Sequence, residues 1–195
     1  QVEEQPDAEQ SAPEQQEETA ITNEEEPETK TGAQAPGSFV LAVFSQNVAV
    51  IEPVKVNYET GDTVKDALVK SGYTFTGIET GFIQSVEGTS GNYSIAFANG
   101  GFALDTPADQ VVTMFISERT DVNVASKPEL VEAVSAALIE MEAYKSATNN
   151  VQNFEKAADA YKTSLVNMRT GSAATIAENT TALVAAVKEY TDFLT

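Results

Sequence analysis

Large apolar side chains are nearly absent from the first 38 residues and become abundant at Phe39, so a folded core can begin only there. The N-terminal stretch has Val2 and Ile21 as its only sizeable apolar side chains, against eleven acids and one base, Lys30. Burial at roughly 25 cal/mol per Å² cannot offset an ordering cost of about 1–2 kcal/mol per residue in such a segment. We therefore predict that residues 1–38 are a disordered acidic tether, extended by charge repulsion and spaced by proline.

The composition also excludes several classes of function. The 195 residues carry a net charge of −19 and contain no Cys and no His, which removes serine-histidine, cysteine-histidine and zinc chemistry. The eleven Lys and Arg residues are scattered, whereas binding to phosphates or to anionic membranes needs clustered basic residues. No apolar run approaches the roughly 20 residues that cross a bilayer. We predict a protein that is not an enzyme, holds no cofactor or metal, binds no nucleic acid and does not insert into a membrane.

Residues 39–120 have the short apolar runs of a β-rich domain. The run from Phe39 to Ile51, broken at residues 45–47, predicts two strands and a turn, and alternating polarity after Pro53 predicts a further strand. Residues 62–72 then predict one short helix, capped by Asp62 or Thr63 and ended by Gly72. Later apolar runs are separated by glycine, and residues 99–101 predict a hairpin turn.

The last third of the chain changes to a helical period. Ser126 and Glu129 match a capping box, and three apolar stripes with short links follow it. The stripes comprise Leu130, Val134, Ala137, Met141 and Tyr144; Val151, Phe154, Ala158, Tyr161, Leu165 and Met168; and Ile176, Thr180, Leu183, Val187, Tyr190 and Leu194. The predicted fold class is α+β, with a β-grasp-like sheet and one packed helix at 39–120, followed by an antiparallel three-helix bundle at 121–195.

Three segments carry a resemblance to a known family. Gly61 to Leu68 matches a capped helix of the type TVLDAL, Gly81 to Gly88 a strand of the type GFITSI-G, and Gly91 to Gly100 a strand of the type GWMYYVNG. In these motifs the chain resembles the transcobalamin-like C-terminal domain family of bacterial surface proteins over roughly residues 39–117. The tryptophan of the third motif is absent, with Asn92-Tyr93 in its place, and Ser94 or Ile95 stands at the motif's second aromatic position. Vertebrate relatives use this domain as one wall of a cobalamin site, together with a large helical barrel that this sequence lacks, so we expect no cobalamin here.

Candidate sites are few. Alternating aromatics of the β-rich part could form a ligand-binding face or fill the core, and Tyr73, Tyr93 and Phe97 are the candidates for ligand binding. Residues 105–109 could supply oxygens to calcium, but they lack the ladder of a calcium loop and fit an ordinary proline-containing turn. No two acids are paired by sequence in the way that glycosidases require. We therefore predict no catalytic residues.

The resemblance and the acidic N-terminal stretch together predict an exported protein. We expect an extracellular or cell-envelope location, with a signal peptide removed before Gln1, and a chain that is part of a longer multi-domain protein. The predicted function is a surface-type interaction or spacer module with an unknown protein or glycan partner. The alternative is a carbohydrate- or small-ligand-binding module that uses the β-rich domain.

Overall fold

The computed structural model describes residues 36–46, 48–98, 103–118, 127–148 and 155–195, and those residues belong to one compact unit. Its helices are α1 Val64–Lys70, α2 Pro128–Thr148, α3 Glu155–Thr170 and α4 Ala173–Leu194. Its strands are β1 Gly37–Ser45, β2 Val48–Tyr58, β3 Phe75–Thr76, β4 Ser85–Val86, β5 Thr89–Ser90, β6 Tyr93–Phe97 and β7 Thr113–Glu118. The predicted α+β class is confirmed. Most of the predicted tether, the turn at 99–101, Ser126 of the predicted capping box and the start of the second stripe lie outside the described residues.

The larger sheet has four strands in the order β2-β1-β7-β6. Its central pair, β1 and β7, is parallel, whereas β2 and β6 flank that pair in antiparallel orientation. The first and last strands therefore lie side by side at the centre, and α1 follows β2, which is the β-grasp-like arrangement that we predicted. A second sheet, β3-β4-β5, is built from short strands that precede β6.

The central strand β1 is buried on both faces, which explains why its sequence is a continuous apolar run and does not alternate. Phe39, Leu41 and Val43 pack in a core with α1. The intervening side chains, Val40, Ala42 and Phe44, pack against the helices that follow the sheet. One strand thus contributes to both cores of the unit.

Pro53 does not interrupt β2, in contrast to the break that the sequence suggested. β2 is an edge strand, so a residue without an N–H can be tolerated there. The register between β1 and β2 shifts between Leu41 and Val43, opposite Pro53. A local irregularity at the edge therefore accommodates the proline and leaves a strand of 11 residues.

Helices α2, α3 and α4 pack together as the stripes predicted. Lys156 near the start of α3 pairs with Glu189 near the end of α4 at 2.6 Å, as expected for antiparallel neighbours. The rings of Tyr144 and Tyr161 stack with centroids 4.7 Å apart and join α2 to α3. Met141, Met168 and Leu183 are fully buried between the three helices and the sheet. No helix in the described part of the chain combines the length and the apolar character needed to cross a membrane.

Candidate functional site

A concave surface of about 480 Å³ lies between two hairpin turns. One turn joins β1 to β2 and the other joins β4 to β5. We call this cleft the hairpin groove. Its volume is within the range of about 300–1,000 Å³ that ligand sites usually have. The lining residues are Ser45, Gln46, Val48, Ala49, Val50, Glu87, Thr89 and Ser90.

Both turns of the hairpin groove contain a residue in an unfavourable backbone conformation. Gln46 has φ 45° and Glu87 has φ 47°, and within the described ranges these are the two non-glycine residues with positive φ. The left-handed conformation costs an L-residue roughly 1–2 kcal/mol. Backbone strain is concentrated at binding and catalytic sites in many proteins. In the part of the chain that the structure describes, both non-glycine residues with this conformation line the groove.

Glu87 is held in its turn by two hydrogen bonds with Thr74. Its carboxylate accepts from the Thr74 backbone N–H at 2.5 Å, and its own N–H donates to the Thr74 carbonyl oxygen at 2.9 Å. The next residue, Gly88, has φ 76°, so positive φ at two successive positions makes a hairpin turn of type I′. The turn is thus fixed by contacts outside the hairpin, and an exposed negative charge stays at the rim of the groove.

Tyr93 is hydrogen-bonded to two residues that line the hairpin groove, Thr89 and Ser45. Its hydroxyl donates to the carbonyl oxygen of Thr89 at 2.9 Å. Burial raises the pKa of Tyr93; a hydrogen bond with Ser45 lowers it, and the charge of Glu118 raises it further. Because the hydroxyl stays protonated at neutral pH, it is a permanent donor that fixes the position of β5.

The three aromatic residues that the sequence proposed for ligand binding do not line the groove. Phe97 is fully buried and Tyr93 is 8% exposed, so both are core residues in this structure. Tyr73 is partly buried against the same core. The aromatic side chains with the largest exposure in the described part are Phe193, at 83%, and Phe82, at 74%, and neither is among the three candidates.

Sequence reasoning did not find the hairpin groove, although part of its signal was present. Residues 45–47 marked the first turn correctly, and the second turn contains Gly88, one of the glycines that separate the later apolar runs. Nothing in the local sequence shows that the two turns border one cleft, because Ser45 and Ser90 are brought there by separate sheets.

The acids near α1 and in the turn at residues 105–109 have structural or solvent-exposed positions. Asp66 belongs to a capping box with Thr63, the N-cap of α1, and Asp62 bonds to Lys70 and to the backbone of Glu59. Asp105 and Asp109 are exposed in a turn that contains a short 3-10 helix, Ala108–Gln110. Within the described ranges, no three His, Cys, Asp or Glu side chains are grouped so as to hold a metal ion.

Comparison of the chain with protein-family models, curated proteins and solved structures found no match. The resemblance to transcobalamin-like C-terminal domains therefore stays a prediction from the three motifs.

Proposed function

We propose that this chain is a non-catalytic interaction module of a cell-surface protein, in which residues 1–38 act as a tether and the hairpin groove is the binding surface. The observation that carries the proposal is the confinement of the strained non-glycine turn residues, Gln46 and Glu87, to that groove. A conformation that costs free energy persists where neighbouring contacts impose it, and Thr74 imposes it on Glu87.

The chemistry of the lining supports binding over catalysis. Acid-only hydrolysis needs two carboxylates at a defined separation, and the lining contains one, Glu87. That carboxylate already accepts a hydrogen bond from Thr74. Asp66 of α1 is likewise engaged in the helix cap, and Asp62, which precedes the helix, is engaged in an ion pair with Lys70.

A small polar ligand or a carbohydrate is the second candidate, favoured by the polar lining and the volume of the groove. Ser45, Thr89 and Ser90 each place a hydroxyl-bearing side chain in the lining, and a cleft of about 480 Å³ is large enough for a small molecule. Hydroxyl groups both donate and accept hydrogen bonds, so they suit a ligand with several hydroxyls.

Binding at the groove can be tested with the full chain and two matched variants. Ser90→Arg places a long cationic side chain in the groove, whereas Thr163→Arg places the same side chain at an exposed position on α3. A ligand can first be identified on a glycan array or a peptide array. We expect Ser90→Arg to lose binding of that ligand and Thr163→Arg to retain it, while circular dichroism shows that both variants are folded. Equal binding by the two variants would show that the groove is not the binding surface.

The location can be tested separately. Protease added to intact producing cells should digest the protein, since a tethered surface module is accessible from outside. Complete protection until the cells are lysed would contradict the proposed location.

A further inference from the structure

We propose that the hairpin groove binds an extended, neutral or basic peptide segment of a partner protein by strand addition, through the backbone groups of Ala49 and Ser90. This inference rests on the proposed function, since it takes the groove as the binding surface. It adds the chemical class of the ligand and the way in which it is held.

The first argument concerns Ser90, in the edge strand β5. Val86 and Thr89 flank the type I′ turn, so they form a hydrogen-bonded pair. The Gly91 N–H donates to the Gln84 carbonyl oxygen at 3.0 Å, which marks the next such pair. Hydrogen-bonded and non-hydrogen-bonded pairs alternate along an antiparallel ladder, so the backbone N–H and C=O of Ser90 point away from β4.

The second argument concerns Ala49, in the edge strand β2. The Val40 N–H donates to the Val112 carbonyl oxygen at 3.0 Å, so β1 directs the backbone groups of Val40 towards β7. The pairing of β1 with β7 continues without a shift to Phe44, which therefore also faces β7. Phe44 is the partner of Ala49, so this pair exchanges no hydrogen bonds. The N–H and C=O of Ala49 thus point outward from the sheet.

Two outward-facing backbone edges therefore border one groove. Ala49 and Ser90 both line it, although they belong to different sheets. A free edge offers donors and acceptors to an incoming strand, and an extended peptide can satisfy them in the way that it does in other strand-addition complexes. Val48, 64% exposed at the start of β2, offers an apolar contact for a side chain of that peptide.

The charge of the lining selects among extended segments. The eight lining residues include one acid, Glu87, and no Lys or Arg. The whole chain carries a net charge of −19. An acidic segment, including this chain's own N-terminal residues, is therefore repelled, whereas a neutral segment is not repelled and a basic segment is attracted.

The test uses the full-length chain and arrays of ten-residue synthetic peptides with alternating apolar and variable positions. One set has Lys and a matched set has Glu at the variable positions. We expect members of the Lys set to bind more weakly as salt is raised, and the Glu set not to bind. A bound peptide can be methylated on its odd-numbered or on its even-numbered backbone nitrogens, which gives two registers of methylation. One of the two should weaken binding by about tenfold or more, because it removes the N–H donors that pair with the edge strand.

The variants separate backbone pairing from side-chain contact without relying on a single mutant. Ser90→Ala should keep peptide binding, since the backbone is unchanged, whereas Ser90→Arg should abolish it. Peptide binding that is indifferent to N-methylation in both registers would overturn strand addition. If a glycan binds the original chain but not Ser90→Arg, and no peptide binds, the peptide proposal is overturned and the proposed function stays intact. Binding by no probe, or binding unaffected by Ser90→Arg, would overturn both.

Discussion

The hydroxyl of Tyr93 donates a hydrogen bond of 2.9 Å to the carbonyl oxygen of Thr89, and this bond joins an edge strand of the four-stranded sheet to an edge strand of the three-stranded sheet. Tyr93→Phe removes the donor and keeps the ring. We expect the free energy of unfolding to fall by about 0.5–1.5 kcal/mol, measured by urea denaturation. Tyr58→Phe is the control, because no hydrogen bond of that hydroxyl is seen among the described residues. Equal losses in the two variants would contradict a specific role for the Tyr93 bond.

The N-terminus of α1 depends on the reciprocal bonds between Thr63 and Asp66. The Thr63 hydroxyl oxygen accepts from the Asp66 N–H at 3.2 Å, and the Asp66 carboxylate accepts from the Thr63 N–H at 2.9 Å. Thr63→Ala should reduce the free energy of unfolding by about 0.5–2 kcal/mol, whereas Thr63→Ser should retain most of it. Thermal denaturation of the two variants measures the difference, and an unchanged Thr63→Ala would contradict the capping role.

The ion pair of Asp62 with Lys70 predicts a pH dependence. The ammonium of Lys70, 2.8 Å away, and the Glu59 N–H hold the pKa of Asp62 below its usual value of 3.8. A lowered pKa in the folded state means that the stabilisation is present above the usual pKa and is lost as the pH falls through the lowered value. Lys70→Met should therefore be less stable than the original chain at neutral pH, with a difference that shrinks in acid.

Carboxyl titration by NMR should show a higher pKa for Asp62 in Lys70→Met. Lys65→Met is the control, because Lys65 pairs with Glu79 and not with Asp62. An unchanged titration of Asp62 in Lys70→Met would show that the ion pair does not set the pKa.

Adjacent residues of α2 should differ sharply in their contribution to stability. Leu138 is fully buried in the core that the helices share with Val40, Phe44 and Phe115 of the sheet, whereas Ile139 is 41% exposed. Leu138→Ala should cost about 2–5 kcal/mol. Ile139→Ala should cost clearly less, since it loses less buried surface.

The same pair of variants tests whether sheet and helices unfold together. Near-ultraviolet and far-ultraviolet circular dichroism should report one coincident transition, shifted by Leu138→Ala, because the two layers share a core. Two separate transitions, with only the helical one shifted, would contradict this expectation.

Two glycines with nearly the same φ should respond differently to alanine. Gly77 has φ 84° and Gly72 has φ 86°, so both substitutions introduce left-handed strain of roughly 1–2 kcal/mol. A Cβ at Gly77 would collide with the Phe82 carbonyl oxygen, whereas a Cβ at Gly72 would meet nothing within 4 Å. Gly77→Ala should therefore cost about 1–3 kcal/mol more than Gly72→Ala in urea denaturation. Equal costs would show that the backbone near Phe82 can move aside.

The sequence predicted the elements whose pattern is local. The apolar stripe on α2 follows from the need to bury one helix face. It correctly predicted that Leu130, Val134 and Met141 are buried. The stop of α1 at Gly72 was correct for the same kind of reason, because a positive φ after a helix favours glycine. The break expected at Pro53 was wrong in β2, because the tolerance for proline depends on the strand being at an edge of the sheet.

By itself, the sequence determined that a core begins near Phe39, that a β-rich part with one short helix precedes the long helices, and that the chain contains neither Cys nor His. Only the tertiary structure decided that Tyr93 and Phe97 face the core and that the turns at Gln46 and Glu87 meet at one groove. The physical reason is that hydrophobic periodicity indicates which residues of a single helix or strand are buried. A cleft depends instead on the pairing of strands that are distant in sequence, above all the parallel pairing of β1 with β7.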